Sequence, residues 1–297
     1  MQNKKFRNYL QMLFISLLTA FVLLSCTQED LTLCKPTSYK LIVKAVNAED
    51  EALGTETVKD LSLYVFDNKK RFLALHPDYM VGQSILLDYP DHDSLMVVAW
   101  GNGFQGGQTM PVLNIGDMMD DASISLIQKT RENSGIQSPD DLLHGSITLN
   151  NESHVVEKQM LIHRKTSGLV ITSRTLKLYS NTTEENFSYV VRQTGSKLNF
   201  EGVELGEYSS YYPQASFNNK DEFVAPIFNI LTTTSNIEVD IFHGNILKAT
   251  IIKNSTGDPL RVEAGKTLNV LVDFEGIISV DISVTPWGVT ELWKDFN

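Results

Sequence analysis

Cysteine is scarce in this sequence, which contains only Cys26 and Cys34 among 297 residues. Small secreted domains that depend on disulfide bridges carry several cysteines at regular spacings. If Cys26 carries a lipid, as the residues around it indicate below, Cys34 has no partner within the chain. The sequence therefore excludes a disulfide-stapled domain, and we interpret Cys34 as a small apolar residue beside the start of the folded part.

Motifs for catalysis and metal binding are also missing. The sequence has no G-x-S-x-G nucleophile elbow and no H-E-x-x-H pair, and its six histidines are scattered. The pairs Asp120-Asp121 and Asp140-Asp141 are typical of turns, where aspartate bonds the local backbone. In Asp91-His92-Asp93, neighbouring side chains of an extended chain point in opposite directions, which is unsuited to a shared ligand. We therefore predict that the protein is not an enzyme and has no cofactor or metal site.

Positive charge is in short supply, since 25 Lys and Arg face 36 Asp and Glu. Residues 1–25 contain three of the basic residues and no acidic one, so the net charge without them is −14. Nucleic-acid binding needs clustered Lys and Arg to neutralise phosphates, and we exclude a nucleic-acid partner. The hydrophobic content of 42% supports packed cores. Roughly 270 residues remain after residue 25, enough for two domains of common size.

Two glycine-containing stretches are similar to nucleotide-binding motifs. The first, VVAWGNGFQGG (97–107), has G-x-G-x-x-G spacing, but Pro111 and Gly116 prevent the helix that a dinucleotide site requires after it. The second, Gly265-Lys266-Thr267, has Leu260 where a P-loop needs glycine, and an apolar strand pattern follows. Both stretches indicate turns at strand ends, and we predict no nucleotide partner.

The N-terminus has the pattern of a secretion signal. Lys4, Lys5 and Arg7 precede a nearly continuous apolar stretch from Leu10 to Leu24. Fifteen residues are too few for a membrane-spanning helix, which needs about 20, but they suit the hydrophobic core of a signal peptide. We predict a signal peptide over residues 1–25.

The residues that end this stretch predict a lipid anchor. Leu23-Leu24-Ser25-Cys26 resembles the bacterial lipobox, in which the chain is cleaved before the cysteine, here between Ser25 and Cys26. Acyl chains such as palmitate on Cys26 would hold the mature chain to a membrane, because several buried chains bind firmly. An ordinary signal cleaved nearby is the alternative. Residues 26–36 then form a tether, whose acidic Thr27–Asp30 stretch resembles a surface-export signal of some Bacteroidales lipoproteins.

The rest of the chain has the alternating and β-branched patterns of strands, which predict an all-β fold. Helical periodicity is confined to a hint at Pro139–Leu143. We place the domain boundary in the polar region between Leu149 and Gly168, giving domains over 37–157 and 158–297. The predicted strands are SYKLIVKAV (38–46), the hairpin LSLYVFDNKKRFLAL (61–75), SILLDY, SLMVVAW, ASISLIQ, SGLVITSRTLKL, FSYVV, SKLNF, NIEVDIF, ILKATIIK, KTLNVLVDF and ISVDISVTPW.

The lipobox and several stretches of the body together resemble the FimB-type fimbrial anchor lipoproteins of Bacteroidales, relatives of the fimbrillins of type V pili. The hairpin turn Lys69-Lys70 departs from this pattern, since it lacks the expected glycine. The stretches that carry the likeness are DLSLYVFDNKKRFL (60–73), LMVVAWGNG (95–103), DDLLHGSITL (140–149), DPLRVEAGKTLNVLVDF (258–274) and ISVTPWG (282–288).

This resemblance implies two transthyretin-like β-sandwich domains that Cys26 anchors to the outer membrane, with the protein exposed at the cell surface. It also implies fimbrial shaft subunits as partners, joined by strand addition. Such an anchor holds the base of the fimbria and limits its length. The resemblance does not identify the partner-binding residues.

Other interpretations remain open at this point. Aromatic residues in EYSSYY (207–212) favour a surface lipoprotein that binds glycans, while a hydrolase lacks a nucleophile and a base. The C-terminal VTPWGVTELWKDFN (284–297) is a candidate contact segment because it contains Trp287, Trp293 and Phe296. The alternative is that it ends in a last strand packed on its own core.

Overall fold

A computed structural model describes residues 38–129, 135–150, 157–291 and 293. These residues are mostly β-strand, with one helical turn, α1 (Leu176–Tyr179), and 3-10 turns at Thr55–Thr57 and Met119–Asp121. The predicted all-β class is confirmed. The strands are β1 (Ser38–Ala45), β2 (Leu61–Asp67), β3 (Phe72–His76), β4 (Ser84–Asp88), β5 (Ser94–Gly101), β6 (Gln108–Thr109), β7 (Ser123–Leu126), β8 (Leu143–Asn150), β9 (Glu157–Arg164), β10 (Thr166–Arg174), β11 (Phe187–Gly195), β12 (Lys197–Asn199), β13 (Tyr208–Tyr211), β14 (Ser216–Phe217), β15 (Phe223–Leu231), β16 (Glu238–His243), β17 (Ile246–Ile251), β18 (Lys266–Asp273) and β19 (Ser279–Pro286).

The first domain is one sheet that curls into a sandwich. Its strands run in the order β3-β2-β5-β8-β9-β1-β4, and β8 meets β9 at only two paired positions. At this narrow contact the sheet folds over from one layer to the other, and we call it the closed side of the sandwich. The edge strands β3 and β4 lie at the opposite, open side, where no pairing between the described strands joins the two layers. Both layers bury apolar side chains between them, as expected for alternating inward residues. The core contains Tyr39, Leu41, Val43, Ala45, Leu61, Leu63, Val65, Leu87, Leu95, Val97, Ala99, Leu143, Leu149, Met160 and Ile162.

The second domain repeats this design with more strands. The main order is β17-β16-β11-β15-β10-β18-β19, and the short β13 and β14 pair with β11 and β15. Here the closed side is the contact between β11 and β15, which share one paired position, Gly195 with Leu231. The edge strands β17 and β19 therefore lie on the open side of the second sandwich.

Each domain pairs its first strand in parallel with a much later one. Lys40–Ala45 of β1 pair with Glu157–Ile162 of β9, and Gly168–Arg174 of β10 pair with Thr267–Asp273 of β18. All other pairings between these strands and their neighbours are antiparallel. The two domains thus share one architecture, and the predicted pair of β-sandwich domains is confirmed.

The two sandwiches are joined tightly. Lys165 is the single residue between β9, which pairs in the first sheet, and β10, which begins the second. A small third sheet crosses the junction, because β12 of the second half pairs with β7 of the first. The domain limits predicted from the sequence remain predictions. The structure shows that a continuous apolar core joins the outer face of β2 and β5 to the second domain.

Phe200 lies at the centre of this shared core. Its ring is buried and makes an edge-to-face contact with Tyr64 of β2, with the ring centroids 4.8 Å apart. The rings of Phe66 and Trp100 lie 5.9 Å and 6.1 Å from it. A side chain from the second half of the chain therefore completes the packing of the first domain.

The predicted hairpin is confirmed, and its turn explains the missing glycine. Lys70 adopts a left-handed conformation with φ of 60°, which costs a non-glycine residue stability. The buried carboxylate of Asp67 supports the turn by accepting backbone N–H groups of Lys69 at 2.8 Å and Arg71 at 2.9 Å. The Arg71 guanidinium adds an ion pair at 2.8 Å.

Two local expectations differ from the structure. Residues 139–142 form no helix, and β8 begins at Leu143. The predicted strand over 167–178 ends instead at Arg174, because Thr175 takes a positive φ of 53° and α1 follows. Tertiary packing of Leu176 into the core stabilises this turn against the strand propensity of the sequence.

Candidate partner-binding surface

The predicted lipid-attachment residue Cys26, the cleavage position after Ser25 and the tether at 26–36 lie outside the described residues. The described fold begins at Ser38, the first residue of β1. Where the chain enters the fold therefore decides which end of the molecule lies near the predicted lipid.

The two ends of the molecule can be assigned from strand direction. β1 runs from Ser38 towards the junction, where Val46 N–H donates to the Ile162 carbonyl at 3.1 Å. β10 starts at the junction with Thr166 and runs away from it for nine residues, about 30 Å at the usual rise per residue. We call the end at Ser38 the near pole, and the end of the second domain at Arg174 and Asp273 the far pole. The predicted tether precedes Ser38 in the chain and would therefore join the near pole.

Among the four edge strands, three are obstructed or lie in the near domain. The start of β3 is covered, because Phe72 N–H donates to the Asp117 carbonyl at 2.8 Å. In β17, the register with β16 shifts beside Lys248, and such a bulge blunts an edge against further pairing. β4 is a five-residue strand of the near domain. This leaves β19 as the long edge of the far domain.

β19 is a regular edge strand. It pairs with β18 at eight consecutive positions without a register shift, and Pro286 ends it. Proline is tolerated on an edge, where its missing N–H does not break the sheet. The inward row of β19 is incompletely covered, because Val284 lies opposite the core residue Leu268 but is 45% exposed. The apolar interior of the second sandwich is therefore partly open to solvent at Val284.

The chain itself shows how another strand would bind this edge. Ser255 N–H donates to the Val280 carbonyl at 2.8 Å, and Val280 N–H donates to Ser255 Oγ at 2.7 Å. Backbone direction alternates along a strand, so Ile282 and Val284 present their N–H and carbonyl groups on the same outer side. Within the described residues, no hydrogen bond is made to these outer groups. We call Ser279–Pro286 the acceptor edge.

The C-terminal segment after β19 folds back over the domain junction and β18. Trp287 lies beneath the Arg164 guanidinium, 4.8 Å from the ring centre. Gly288 N–H donates to Thr267 Oγ1 and Glu291 N–H to Asn269 Oδ1, both at 3.0 Å. Phe296 lies outside the described residues. Residues 287–291 therefore lie over the outer face of β18 and do not cover Val284 on the inward row of the acceptor edge.

The tyrosines of EYSSYY are not all available to a ligand. Tyr208 is half exposed, whereas Tyr211 is buried in the core. Tyr212 lines a cleft of about 330 Å³ together with Phe228 and Pro213. Of the tyrosines in this stretch, Tyr212, which lies beside Phe228 in the cleft, and Tyr208 at the sheet surface can meet a glycan.

The glycine-containing stretch that follows β5 is a structural turn. Asn102 has φ of 58°; its side-chain Oδ1 accepts the Lys59 N–H at 2.7 Å, and its Nδ2 donates to two carbonyls. The Asp140 carboxylate accepts Gly107 N–H at 2.8 Å. The strand β6 follows, rather than a helix. The prediction that these glycines end a strand is confirmed.

Titratable side chains in the described residues support packing. His144 is buried against Trp100, with ring centroids 4.4 Å apart, and burial lowers its pKa to about 3. Asp141, which is partly buried, forms an ion pair with the buried Arg164 at 2.8 Å. No group of three or more His, Cys, Asp or Glu in the described part of the chain could hold a metal ion.

None of the helices in the described residues is long and apolar enough to span a membrane.

The family of the chain is established by its sequence profile. The model of the fimbrillin-A associated anchor proteins Mfa1 and Mfa2 matches residues 31–293, which is most of the chain. The chain belongs to this family of fimbrial anchor proteins, and the resemblance inferred from the sequence is confirmed. Membership implies association with fimbrial subunits and a place at the cell surface. No curated protein matches the chain in sequence.

Solved structures show the same fold at low sequence identity. The fimbrial anchor protein Mfa2 from Porphyromonas gingivalis is 12% identical, with a TM-score of 0.62 over 84% of this chain and 97% of that chain. A candidate polysaccharide-binding protein from Bacteroides thetaiotaomicron is 16% identical, with a TM-score of 0.64 over 85% and 97%. A candidate adhesin from Bacteroides ovatus is 14% identical, with a TM-score of 0.62 over 84% and 94%.

Proposed function

We propose that this protein is an outer-membrane lipoprotein that anchors the base of a fimbria. In this proposal, lipid on Cys26 holds the near pole to the membrane, and the acceptor edge of the far domain holds a shaft subunit by strand addition. The protein performs no catalysis. The observation that carries the proposal is the part of the acceptor edge at Ile282 and Val284, whose outer backbone groups make no hydrogen bond within the described residues, in a chain of the anchor family.

The tether has a suitable reach. Twelve residues, 26–37, separate the predicted lipid from the fold, and an extended chain of that length spans at most about 40 Å. This keeps the near pole close to the membrane, while the second domain lies beyond the first. Stable attachment requires more than one acyl chain, as lipidated bacterial cysteines supply.

Strand addition suits the chemistry of the acceptor edge. An extended segment beside β19 would bond the outer backbone groups of Ile282 and Val284, giving main-chain affinity. Its side chains would cover Val284, which the sandwich leaves 45% exposed. This protein would then be the last subunit at the base of the fimbria, because its acceptor edge is filled and its lipid holds it in the membrane. This would limit fimbrial length.

The lipid is tested by Cys26→Ala in the native host. The variant lacks the acylated thiol, so we expect it in the soluble fraction, with fimbriae shed into the medium. Membrane fractionation and electron microscopy of fimbriae provide the measurement. A variant that stays in the membrane, or cells that retain fimbriae of normal length, would contradict the anchor proposal.

Strand addition is tested by Val284→Pro with Val284→Ala as its matched control. Proline removes the outer N–H of the acceptor edge but leaves the β18 ladder intact, because that N–H faces away from β18. We expect Val284→Pro to reduce co-purification with fimbrial polymer several-fold and Val284→Ala to reduce it little. Equal binding of a folded Val284→Pro variant would show that β19 is not the acceptor.

Glycan binding is the second candidate, favoured by the cleft that Tyr212 and Phe228 line. Aromatic rings in a cleft can stack on the apolar faces of sugars. Retention of the protein on immobilised polysaccharide, lost in Tyr212→Ala, would support it. Absence of retention would leave the anchor proposal alone.

A further inference from the structure

The strand that receives the tether is held on both sides. β1 lies between β4, with five paired positions, and β9, with six. Its inward residues Tyr39, Leu41, Val43 and Ala45 are buried in the first core. Pulling β1 out of the domain would therefore break two ladders and expose four core side chains.

The direction of β1 decides how a load acts on these ladders. β1 and β9 are parallel and both run towards the junction. The tether joins β1 at Ser38, at the near pole, whereas β9 continues through Lys165 into the second domain. A membrane that holds Ser38 and a fimbria that pulls the second domain therefore load opposite ends of the two strands. The strands are pulled lengthwise past each other.

A pull along the strand axes puts all paired positions of β1 and β9 under tension at the same time. Hydrogen bonds that share a load must break at nearly the same time, whereas a strand pulled from one side opens its bonds in succession. Forced unfolding is governed by the height of the unfolding barrier, so simultaneous rupture resists force better than peeling. The parallel β1–β9 pair gives the resistant arrangement.

Polar contacts reinforce the same strand near its loaded end. Lys40 pairs with Glu157 of β9 at 3.2 Å, and Ser84 of β4 donates to that carboxylate at 2.7 Å. The Tyr39 hydroxyl donates to the His92 carbonyl at 2.6 Å. These contacts connect β1 to β9 and to the loop after β4, and they join β4 to β9 across β1, close to Ser38, where the load enters.

We propose that β1, clamped between β9 and β4, is a mechanical clamp that keeps the first domain folded while the tether is under tension. This inference rests on the proposed function for the source of the load. The resistance of the clamp to force depends on this chain alone, because it follows from the direction and register of β1 relative to β9 and β4.

Single-molecule pulling tests the clamp by changing only the point of attachment. The mature chain, residues 26–297, is made without lipid and held at the far pole through Ile277→Cys, an exposed position. In one variant the second handle is Cys26, with Cys34→Ser. In the other it is Ala48→Cys, with both native cysteines replaced by serine, so that β1 is peeled from its junction end.

We expect a several-fold higher rupture force when the chain is held at Cys26 than at Ala48→Cys.

Lys44→Pro should lower the force in the Cys26 geometry only, because Lys44 N–H faces β9, as the N–H of Val46 does. Its control is Lys44→Ala, which keeps the N–H. Equal forces in the two geometries would overturn the clamp. The result is independent of fimbriae and membranes, so failure of the anchor proposal leaves this measurement unaffected, and the converse also holds.

Discussion

His144 shows how a single side chain at the domain junction can make stability depend on pH. Its ring is 6% exposed and lies against Trp100, and Lys165 nearby adds positive charge. Burial, followed by the charge of Lys165, lowers the pKa of His144 to about 3, although a hydrogen bond with the Phe200 backbone acts in the opposite direction. The folded protein therefore keeps this imidazole neutral at pH values where the unfolded chain protonates it.

The sign of the pH effect follows from this difference. Below the unfolded pKa of about 6.5, the unfolded state binds a proton that the folded state excludes, so stability falls as pH decreases. The slope for one such group approaches about 1.4 kcal/mol per pH unit. We expect His144→Gln to flatten the pH dependence of the free energy of unfolding between about pH 4.5 and 6.5. Denaturant titrations at several pH values measure this, and parallel curves for both proteins would contradict it.

The β2–β3 hairpin depends on one carboxylate. Asp67 is buried and accepts three hydrogen bonds from Lys69 and Arg71 across a turn that contains the left-handed Lys70. Burial acts to raise the pKa of Asp67, but these backbone and guanidinium donors outweigh it, so the pKa is lowered. The stability it contributes is therefore present above the unfolded pKa of about 4 and is lost as pH falls through the folded value.

Removing that carboxylate tests its role. We expect Asp67→Ala to lower the free energy of unfolding by about 2 kcal/mol at neutral pH, because two turn N–H groups lose their acceptor. Asp120→Ala is the control, since it removes only an exposed ion pair with Lys70 and should cost less than about 1 kcal/mol. Chemical denaturation measures both, and equal losses would show that Asp67 does not support the turn.

Sequence patterns predict strands well where one face is buried. β1, β2, β5 and β18 alternate or are continuously apolar because their inward rows fill the cores. β15 was not predicted, because Pro226 interrupts its pattern at a bulge that the β10 register accommodates. β9 was assigned to a polar boundary, since its outer face is rich in Glu, Lys and Gln.

The candidate site is harder to predict than the strands. The sequence predicts a strand at 278–287, but alternation gives no information on which strand becomes an edge. That depends on the order β10-β18-β19, which long-range pairing determines. The incomplete cover of Val284 likewise depends on what lies opposite it across the sandwich. Cys26, by contrast, is predicted from local sequence alone, and it remains a prediction.

At the scale of the whole molecule, the two sandwiches share one apolar core, and we expect them to unfold together. Phe200 is 1% exposed and packs on Tyr64, Phe66 and Trp100 of the first domain. We expect a single unfolding transition for the natural protein. Phe200→Ala should lower stability by about 3–5 kcal/mol and separate the transition into two, because the cavity lies between the domains.

A core substitution within one domain provides the control. Phe223 is equally buried, but its aromatic contacts are with Phe187, Tyr189 and Phe217 of the second domain. Phe223→Ala should destabilise the protein by a similar amount without separating the two domains. Calorimetry distinguishes the two variants, and a single transition in Phe200→Ala would show that the domains are coupled by other contacts.

The parallel pair in each sandwich also joins strands that are far apart in the sequence. The partners of β1 in β9, and of β10 in β18, lie roughly a hundred positions further along the chain. During synthesis from the N-terminus, β1 is made early but cannot complete its domain until β9 emerges. Each sandwich therefore lacks one of its central strand pairs for most of its own synthesis, which would suit the export that the predicted signal peptide requires.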